Sequence, residues 1–134
     1  MLQVVAAILE RDGRILIGQR QPSQLHPLKW EFPGGKVEPG ETPARALERE
    51  LEEELDIEVI ASAEITRYFY TYPGKNPIEL IFFRVEDWRG EPRNRIFHDM
   101  RWEKADALPK FDFLEGDTGF IRSLLDTPEN PVLP

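Results

Sequence analysis

The sequence predicts an α/β/α sandwich. Three observations predict it: strand-like runs rich in β-branched and aromatic residues flank one central amphipathic helix, a second helical segment closes the chain, and turn signals separate the runs. At 134 residues the chain makes one domain, large enough to bury roughly two-thirds of its unfolded surface. That domain is expected over 1–126, with a fraying, proline-rich tail at 127–134.

Residues 2–10, LQVVAAILE, are apolar and β-branched enough for a buried strand, and Arg11-Asp12-Gly13 is a hairpin turn signal. The returning strand is Arg14 to Arg20, with Ile15, Ile17 and Gln19 on one side. Gln21 to Leu28 holds two prolines and reads as a surface loop able to move over a site. Trp30 to Phe32 end a strand that runs into the glycine turn Pro33-Gly34-Gly35, and Pro39-Gly40 makes a second turn.

Thr42 as N-cap and Pro43 at the first helical position start the central helix, which runs to about Leu55. Arg45 occupies the place of the usual capping-box acid, so only half of that signature is present. Ala44, Leu47, Leu51 and Leu55 form the core stripe, and Glu50, Glu53 and Glu54 gather on a different side, about 110–130° away. Glu58 to Tyr72 is one long or bent strand, 73–77 a turn, and Ile78 to Trp88 the next strand, where Phe82-Phe83 blurs strict alternation. Arg89 to Ile96 is a charged loop, Asp99 to Glu103 a short strand, and Lys104 to Lys110 a polar segment. Phe120, Ile121, Leu124 and Leu125 place the last helix over Asp117 to Asp126.

Composition narrows the chemistry. No cysteine is present, which excludes disulfides, thiolate nucleophiles and cysteine zinc sites. A formal charge of −8 argues against a groove that tracks a nucleic-acid backbone. The N-terminus lacks a basic region and no run approaches the length of a membrane span, so a cytoplasmic protein with no membrane partner is the expectation. With two histidines, His26 and His98, and no serine-histidine-acid arrangement, a covalent hydrolytic mechanism lacks its usual parts.

Carboxylates three and four apart on a helix repel by roughly 0.2–0.5 kcal/mol per pair. A solvated acidic face, partly balanced by Arg49, is one account of Glu50, Glu53 and Glu54. The other follows from the neighbouring loop: a glycine turn with bare carbonyls beside three clustered carboxylates is an oxygen-ligand site for a hard divalent cation.

Gly35, Glu41, Arg49, Glu50, Leu51, Glu53, Glu54 and Ile57 together resemble the Nudix box, Gly-x5-Glu-x7-Arg-Glu-aliphatic-x-Glu-Glu-x-Gly-aliphatic. Asp56 departs from the pattern, standing where the box has glycine. That residue ends the helix, commonly in a left-handed conformation, which Asp is among the few other residues to tolerate. The order of strands and the final helix is similar to the MutT-like branch over 1 to about 126. The resemblance implies a mixed sheet between helices, with the box helix lining the active site.

The same resemblance implies Mg²⁺ or Mn²⁺ held by Glu50, Glu53 and Glu54 with the carbonyl of Gly34 or Gly35. It implies Glu53 or Glu50 as general base, and Arg49 with Glu41 orienting the ligands through a salt bridge. Asp99 is the candidate for a further acid from a later loop, and His98 beside it is a surface residue or a ligand. Arg20 and Lys36 are expected at the substrate, Arg20 on a phosphate, though a plain surface arginine is the alternative. Phe32 would stack on a nucleobase or belong to the core. Asp117 would accept from a base edge or cap the last helix.

The expected activity is hydrolysis of a nucleoside triphosphate to a nucleoside monophosphate and pyrophosphate, in the manner of enzymes that remove 8-oxo-dGTP. Another nucleoside diphosphate linked to X is the alternative, whether a pyrimidine triphosphate, a dinucleoside polyphosphate or a nucleotide sugar. A non-catalytic nucleotide- or metal-binding module is the alternative of another class. Either a monomer or a homodimer fits.

Overall fold

A computed structural model describes residues 1–126; the tail expected at 127–134 lies outside the described residues. Among the described residues no helix is long and apolar enough to cross a membrane.

Strand β1, Leu2–Ile8, is followed by β2, Glu10–Arg11, and β3, Arg14–Gln19. The β2–β3 turn is made by Asp12 and Gly13, both at positive φ (53° and 76°), as a tight hairpin requires. Short strands β4, Trp30–Glu31, and β5, Gly34–Lys36, precede helix α1, Pro43–Leu55. Long strands β6, Glu58–Tyr70, and β7, Ile78–Arg89, lead to β8, Asp99–Glu103. A 3-10 helix at Ala105–Lys110 and helix α2, Glu115–Asp126, follow.

The strands form two sheets rather than one. The first, in the order β5-β1-β7-β6, is mixed: β1 runs parallel to β7, and the other pairings are antiparallel. In the second, β3 pairs with β2, β4 and β8. Alternation along the central strands separates two cores. Val5, Ala7, Ile81 and Phe83 pack with Leu47, Leu51 and Leu55 of α1. Their neighbours Ala6, Ile8, Leu80 and Phe82 pack with Phe120 and Ile121 of α2. The doubled Phe82-Phe83 is therefore one ring for each face of a sheet covered on both sides, which is the α/β/α arrangement.

Helix α1 starts as its sequence dictates. The Arg45 N–H donates to Thr42 Oγ1 (3.2 Å), with Pro43 in the first turn. Ala46 joins Leu47, Leu51 and Leu55 in the buried face, while Ala44 is only partly buried. The helix ends at Asp56, left-handed at φ 58°, ψ 40°. The loop that follows β7 satisfies its last carbonyls: Arg93 N–H donates to Leu55 O (2.9 Å) and Arg95 N–H to Glu54 O (3.2 Å).

Four local expectations are corrected. The glycine turn at 33–35 gives way to a short antiparallel strand, because β1 lies alongside and takes up backbone polar groups. The strand expected to reach Tyr72 stops at Tyr70, though register shifts near Ala61 and Glu64 bend it, as one of the two readings expects. The polar segment 104–110 holds a 3-10 helix, Ala105–Lys110, anchored by the buried Leu108. Helix α2 begins at Glu115, two residues earlier than expected, so Asp117 lies inside its first turn and is not its cap.

Candidate active site

The site is built where α1 crosses β5. The Ala7 N–H donates to Pro33 O (2.8 Å) and the Val37 N–H donates to Gln3 O (2.9 Å), so antiparallel alternation turns the polar groups of Gly35 toward β1. Gly34 and Lys36 then present theirs to the outer edge, toward α1. The contacts agree: Gly34 N–H donates to Glu54 Oε1 (3.2 Å), and Lys36 O accepts from Arg49 Nη2 (3.0 Å). Of the two glycine carbonyls considered as ligands, Gly34's is the one on the open edge.

Both glycines are required by close approach. A Cβ at Gly34 would lie 1.9 Å from Val5 O. A Cβ at Gly35 would lie 2.4 Å from the Glu50 carboxyl carbon. The Glu50 carboxylate therefore rests directly on the backbone of β5.

Arg49 organises the acids. Its Nε and Nη2 donate to the two oxygens of Glu41 (2.6 and 2.9 Å), and its Nη1 donates to Glu50 Oε2 (3.1 Å) and, at 3.5 Å, to Glu53 Oε1. Glu41 also accepts from the Glu38 N–H (2.9 Å). These bonds hold its carboxyl at about 2, far below the ordinary carboxylate range, with Arg49 the main cause. Glu53 remains exposed, whereas Glu50 and Glu54 are drawn inward.

Inside the cluster the electrostatics reverse. Burial, then Glu31 and Glu50, push the Glu54 carboxyl up to about 9, against the pull of the Gly34 N–H. Burial also raises Glu50, opposed by Arg49, and the Glu50 and Glu54 carboxyls bear on one another. Two carboxyls crowded in this way are relieved by a cation that neutralises both. Together with the outward Gly34 carbonyl they make an all-oxygen donor set, which fits a hard divalent cation. Among the described residues, no three acidic or histidine side chains are already gathered as a complete cage.

A cavity of about 790 Å³ opens beside the cluster, lined among others by Glu54, Gly34, Lys36, Arg20, Phe32 and Asp117. Arg20 Nη1 pairs with Glu31 Oε1 (3.1 Å), and its Nε donates to Leu25 O (2.7 Å), so one guanidinium ties the 21–28 loop to β4. Lys36 is exposed at the rim. Phe32 is buried, with Phe82, Phe113 and Phe120 around its ring at 5.2–6.3 Å, and this favours its core role. Asp117 is the one buried charged residue among those described, and burial, then Glu31, push its carboxyl up to about 8 while the Phe32 N–H pulls it back.

Asp99 is drawn elsewhere. It accepts from Met100 N–H (2.8 Å) and from Arg101 Nε (3.0 Å), and neither bond joins it to the glutamates. The acid that does reach them is Glu31, which raises both Glu54 and Asp117. The sequence assigns Glu31 no role, and its only signal is an acid between the apolar Trp30 and Phe32. His98 is exposed.

A glycine-edged strand, an arginine-held glutamate cluster and an adjoining cavity are parts that a hydrolase acting on phosphate groups with a divalent cation would use. The NUDIX domain family matches residues 1–124. The chain is 37% identical over 131 residues to an 8-oxo-dGTP diphosphatase of Haemophilus influenzae, covering 97% of this chain and 96% of the relative. It is 44% identical over 125 residues to a CTP pyrophosphohydrolase of Escherichia coli, covering 93% and 92%. The solution structure of the E. coli ORF135 protein superposes with a TM-score of 0.82 at 34% identity, covering 93% of this chain and 89% of that one. A MutT structure, from work on Aliivibrio salmonicida and Vibrio cholerae, gives 0.77 at 29% identity, covering 92% and 95%. The chain belongs to the Nudix family and is a nucleotide hydrolase.

Proposed function

We propose that this enzyme hydrolyses nucleoside triphosphates to a nucleoside monophosphate and pyrophosphate, with a MutT-like preference for an oxidised purine such as 8-oxo-dGTP. The observation that carries the reading is the Glu50–Glu54 pair, fixed by Arg49 against β5 at the mouth of a cavity that Asp117 also lines.

Glu53, Glu54 and the Gly34 carbonyl, with Glu50 beside them, would hold Mg²⁺ or Mn²⁺. The bound ion supplies charge neutralisation on the phosphoryl oxygens and a polarised water. Arg49 keeps the Glu50 carboxylate in one orientation through Nη1 while Glu41 fixes Arg49 from the other side. Glu50 takes the proton of the attacking water at its carboxylate, whose basicity burial raises. Glu53 is the other candidate for that role. Arg20 and Lys36 supply positive charge to the polyphosphate at the cavity rim. Asp117 meets the base edge, where a carboxylate accepts from the N1–H and amino group of a guanine or from the amino group of a cytosine. Those N–H donors favour the ionised carboxyl that burial opposes.

The test is an Mg²⁺-dependent assay over 8-oxo-dGTP, dGTP, CTP, a dinucleoside polyphosphate and a nucleotide sugar, with products identified by mass. Pyrophosphate and monophosphate are the expected products, and Glu53→Gln is expected to lose turnover. Orthophosphate release, or full turnover in Glu53→Gln, would overturn the assignment. The 44% identity to a CTP pyrophosphohydrolase favours a pyrimidine triphosphate as the second reading, decided by the same panel.

A further inference from the structure

Two glycines sit in the first half of α2, at 116 and 119, where each costs about 1 kcal/mol of helix propensity against alanine. Their surroundings explain them. A Cβ at Gly116 would meet Tyr72 Oη at 2.9 Å and Leu80 Cδ1 at 3.1 Å, and one at Gly119 would touch Tyr68 Oη at 3.4 Å. The helix has given up side chains at these two positions so that two tyrosines can reach its backbone.

The hydrogen bonds show what the tyrosines do there. Tyr68 Oη donates to Gly116 O (2.5 Å) and accepts from Phe120 N–H (3.1 Å), so one hydroxyl holds both ends of the 116–120 helical step. Tyr72 Oη accepts from Gly116 N–H (3.0 Å), one of the donors that a helix start leaves without an intrahelical partner. Gly116 is thus gripped at its N–H and its C=O by two phenols, and Asp117 is the next residue. Both phenols are pushed up by burial to about 12, so they stay protonated across the neutral range. The Tyr72 ring also lies 4.8 Å from His26 of the 21–28 loop, and Tyr72 lines the same cavity as Asp117.

We propose that Tyr68 and Tyr72 are positioning residues that set nucleobase selectivity by locking the first turn of α2, and with it the Asp117 carboxyl, against the cavity. The inference rests on the reading of Asp117 as the residue that meets the base. The hydroxyls of both tyrosines are engaged by α2 and not by the glutamate cluster. The clamp therefore acts on which nucleotide is held and leaves the cleavage step to α1 and β5.

The experiment measures kcat and KM for 8-oxo-dGTP, dGTP and CTP with Mg²⁺ in Tyr68→Phe, Tyr72→Phe, Asp117→Asn and the two double variants. Each Tyr→Phe is expected to keep kcat for the preferred triphosphate within about twofold. Each changes the kcat/KM ratio between bases by roughly three- to tenfold, the scale of one hydrogen bond. In the Asp117→Asn background that change disappears, because the tyrosines act through Asp117. Gly116→Ala, which crowds Tyr72 Oη without removing it, shifts the ratio in the same direction and guards against a misfolded phenylalanine variant.

An unchanged ratio in both tyrosine variants, or a change that persists beside Asp117→Asn, would overturn the clamp. If Asp117→Asn leaves the ratio untouched, the base-contact reading falls and the clamp falls with it. Should none of the triphosphates be cleaved, calorimetric binding of 8-oxo-dGMP and CMP to the same variants makes the same comparison. A failure of the assigned reaction is then told apart from a failure of the clamp.

Discussion

Arg49 meets Glu41 through two parallel hydrogen bonds, Nε to Oε2 at 2.6 Å and Nη2 to Oε1 at 2.9 Å, eight residues apart along the chain. The fork uses the Nε–Nη2 edge of the planar guanidinium, leaving Nη1 to hold Glu50. Lysine has no such geometry. Arg49→Lys is therefore expected to lower kcat by about 10- to 100-fold and to raise the Mg²⁺ concentration giving half-maximal rate. Glu41→Gln moves both quantities the same way by less, since it keeps one acceptor. A magnesium titration of initial rates checks both, and an unchanged magnesium requirement would mean that Arg49 does not orient the ligands.

Gly34 and Gly35 are adjacent, yet substitutions there separate stability from activity. At Gly35 an alanine methyl pushes against the Glu50 carboxyl, a side chain that can move aside. Gly35→Ala should keep its melting temperature within a few degrees and lose about 100-fold in kcat, the cost of misplacing a reacting group by roughly 1 Å. At Gly34 the methyl meets the backbone of β1, which cannot move. Gly34→Ala should lose about 1–3 kcal/mol of stability by chemical denaturation, in addition to activity. Equal melting temperatures for the two variants would contradict this division.

Asp56, the position where the box pattern has glycine, takes the left-handed conformation that the pattern demands. Its carboxylate lies 3.6 Å from Arg93 and from Arg95, all three exposed, so these pairs contribute little. The strain of a left-handed non-glycine residue, roughly 1 kcal/mol, outweighs them. Asp56→Gly is expected to raise stability by about 0.5–1 kcal/mol in a urea titration. Thr42→Ala at the other end of α1 should lower it by about 1 kcal/mol through loss of the Arg45 N–H acceptor.

The parts of this protein readable from its sequence are those fixed by local chemistry. The cap at Thr42, the helix to Leu55, the left-handed Asp56 and the Asp12-Gly13 turn each follow from a residue and its immediate neighbours. Residues 33–35 illustrate what is not local: two glycines suggest a turn, and only the backbone of β1 alongside makes them a strand. The clustering of Glu50 and Glu54 follows from helical periodicity, but Glu31 arrives from another sheet, and no spacing along the chain announces it. Asp99 shows the converse. The resemblance expects a further acid from this later loop, while the fold ties the Asp99 carboxylate to Met100 and Arg101.

The raised carboxyls set the pH behaviour. Glu54 holds a proton to about 9 in the metal-free protein because of burial first, then Glu31 and Glu50. A cation must displace that proton, so apparent Mg²⁺ affinity rises with pH through neutrality and levels off near 9, with up to one proton released per binding event. The sign for stability is the opposite. A carboxyl whose folded value lies above its unfolded value stabilises the folded state fully below about 4.5 and progressively loses that contribution as pH rises to about 9. Asp117, pushed up to about 8, has the same sign, and Glu41, held at about 2, loses its contribution only as pH falls below the ordinary carboxylate range. The metal-free protein should therefore melt at lower temperature at about pH 8.5 than at about pH 6, and saturating Mg²⁺ should reduce or reverse that difference. Scanning calorimetry with and without the ion, and calorimetric titrations in two buffers of different ionisation enthalpy, measure both effects. A magnesium affinity that does not vary between about pH 6 and 8.5 would show that the cluster carries no proton to displace.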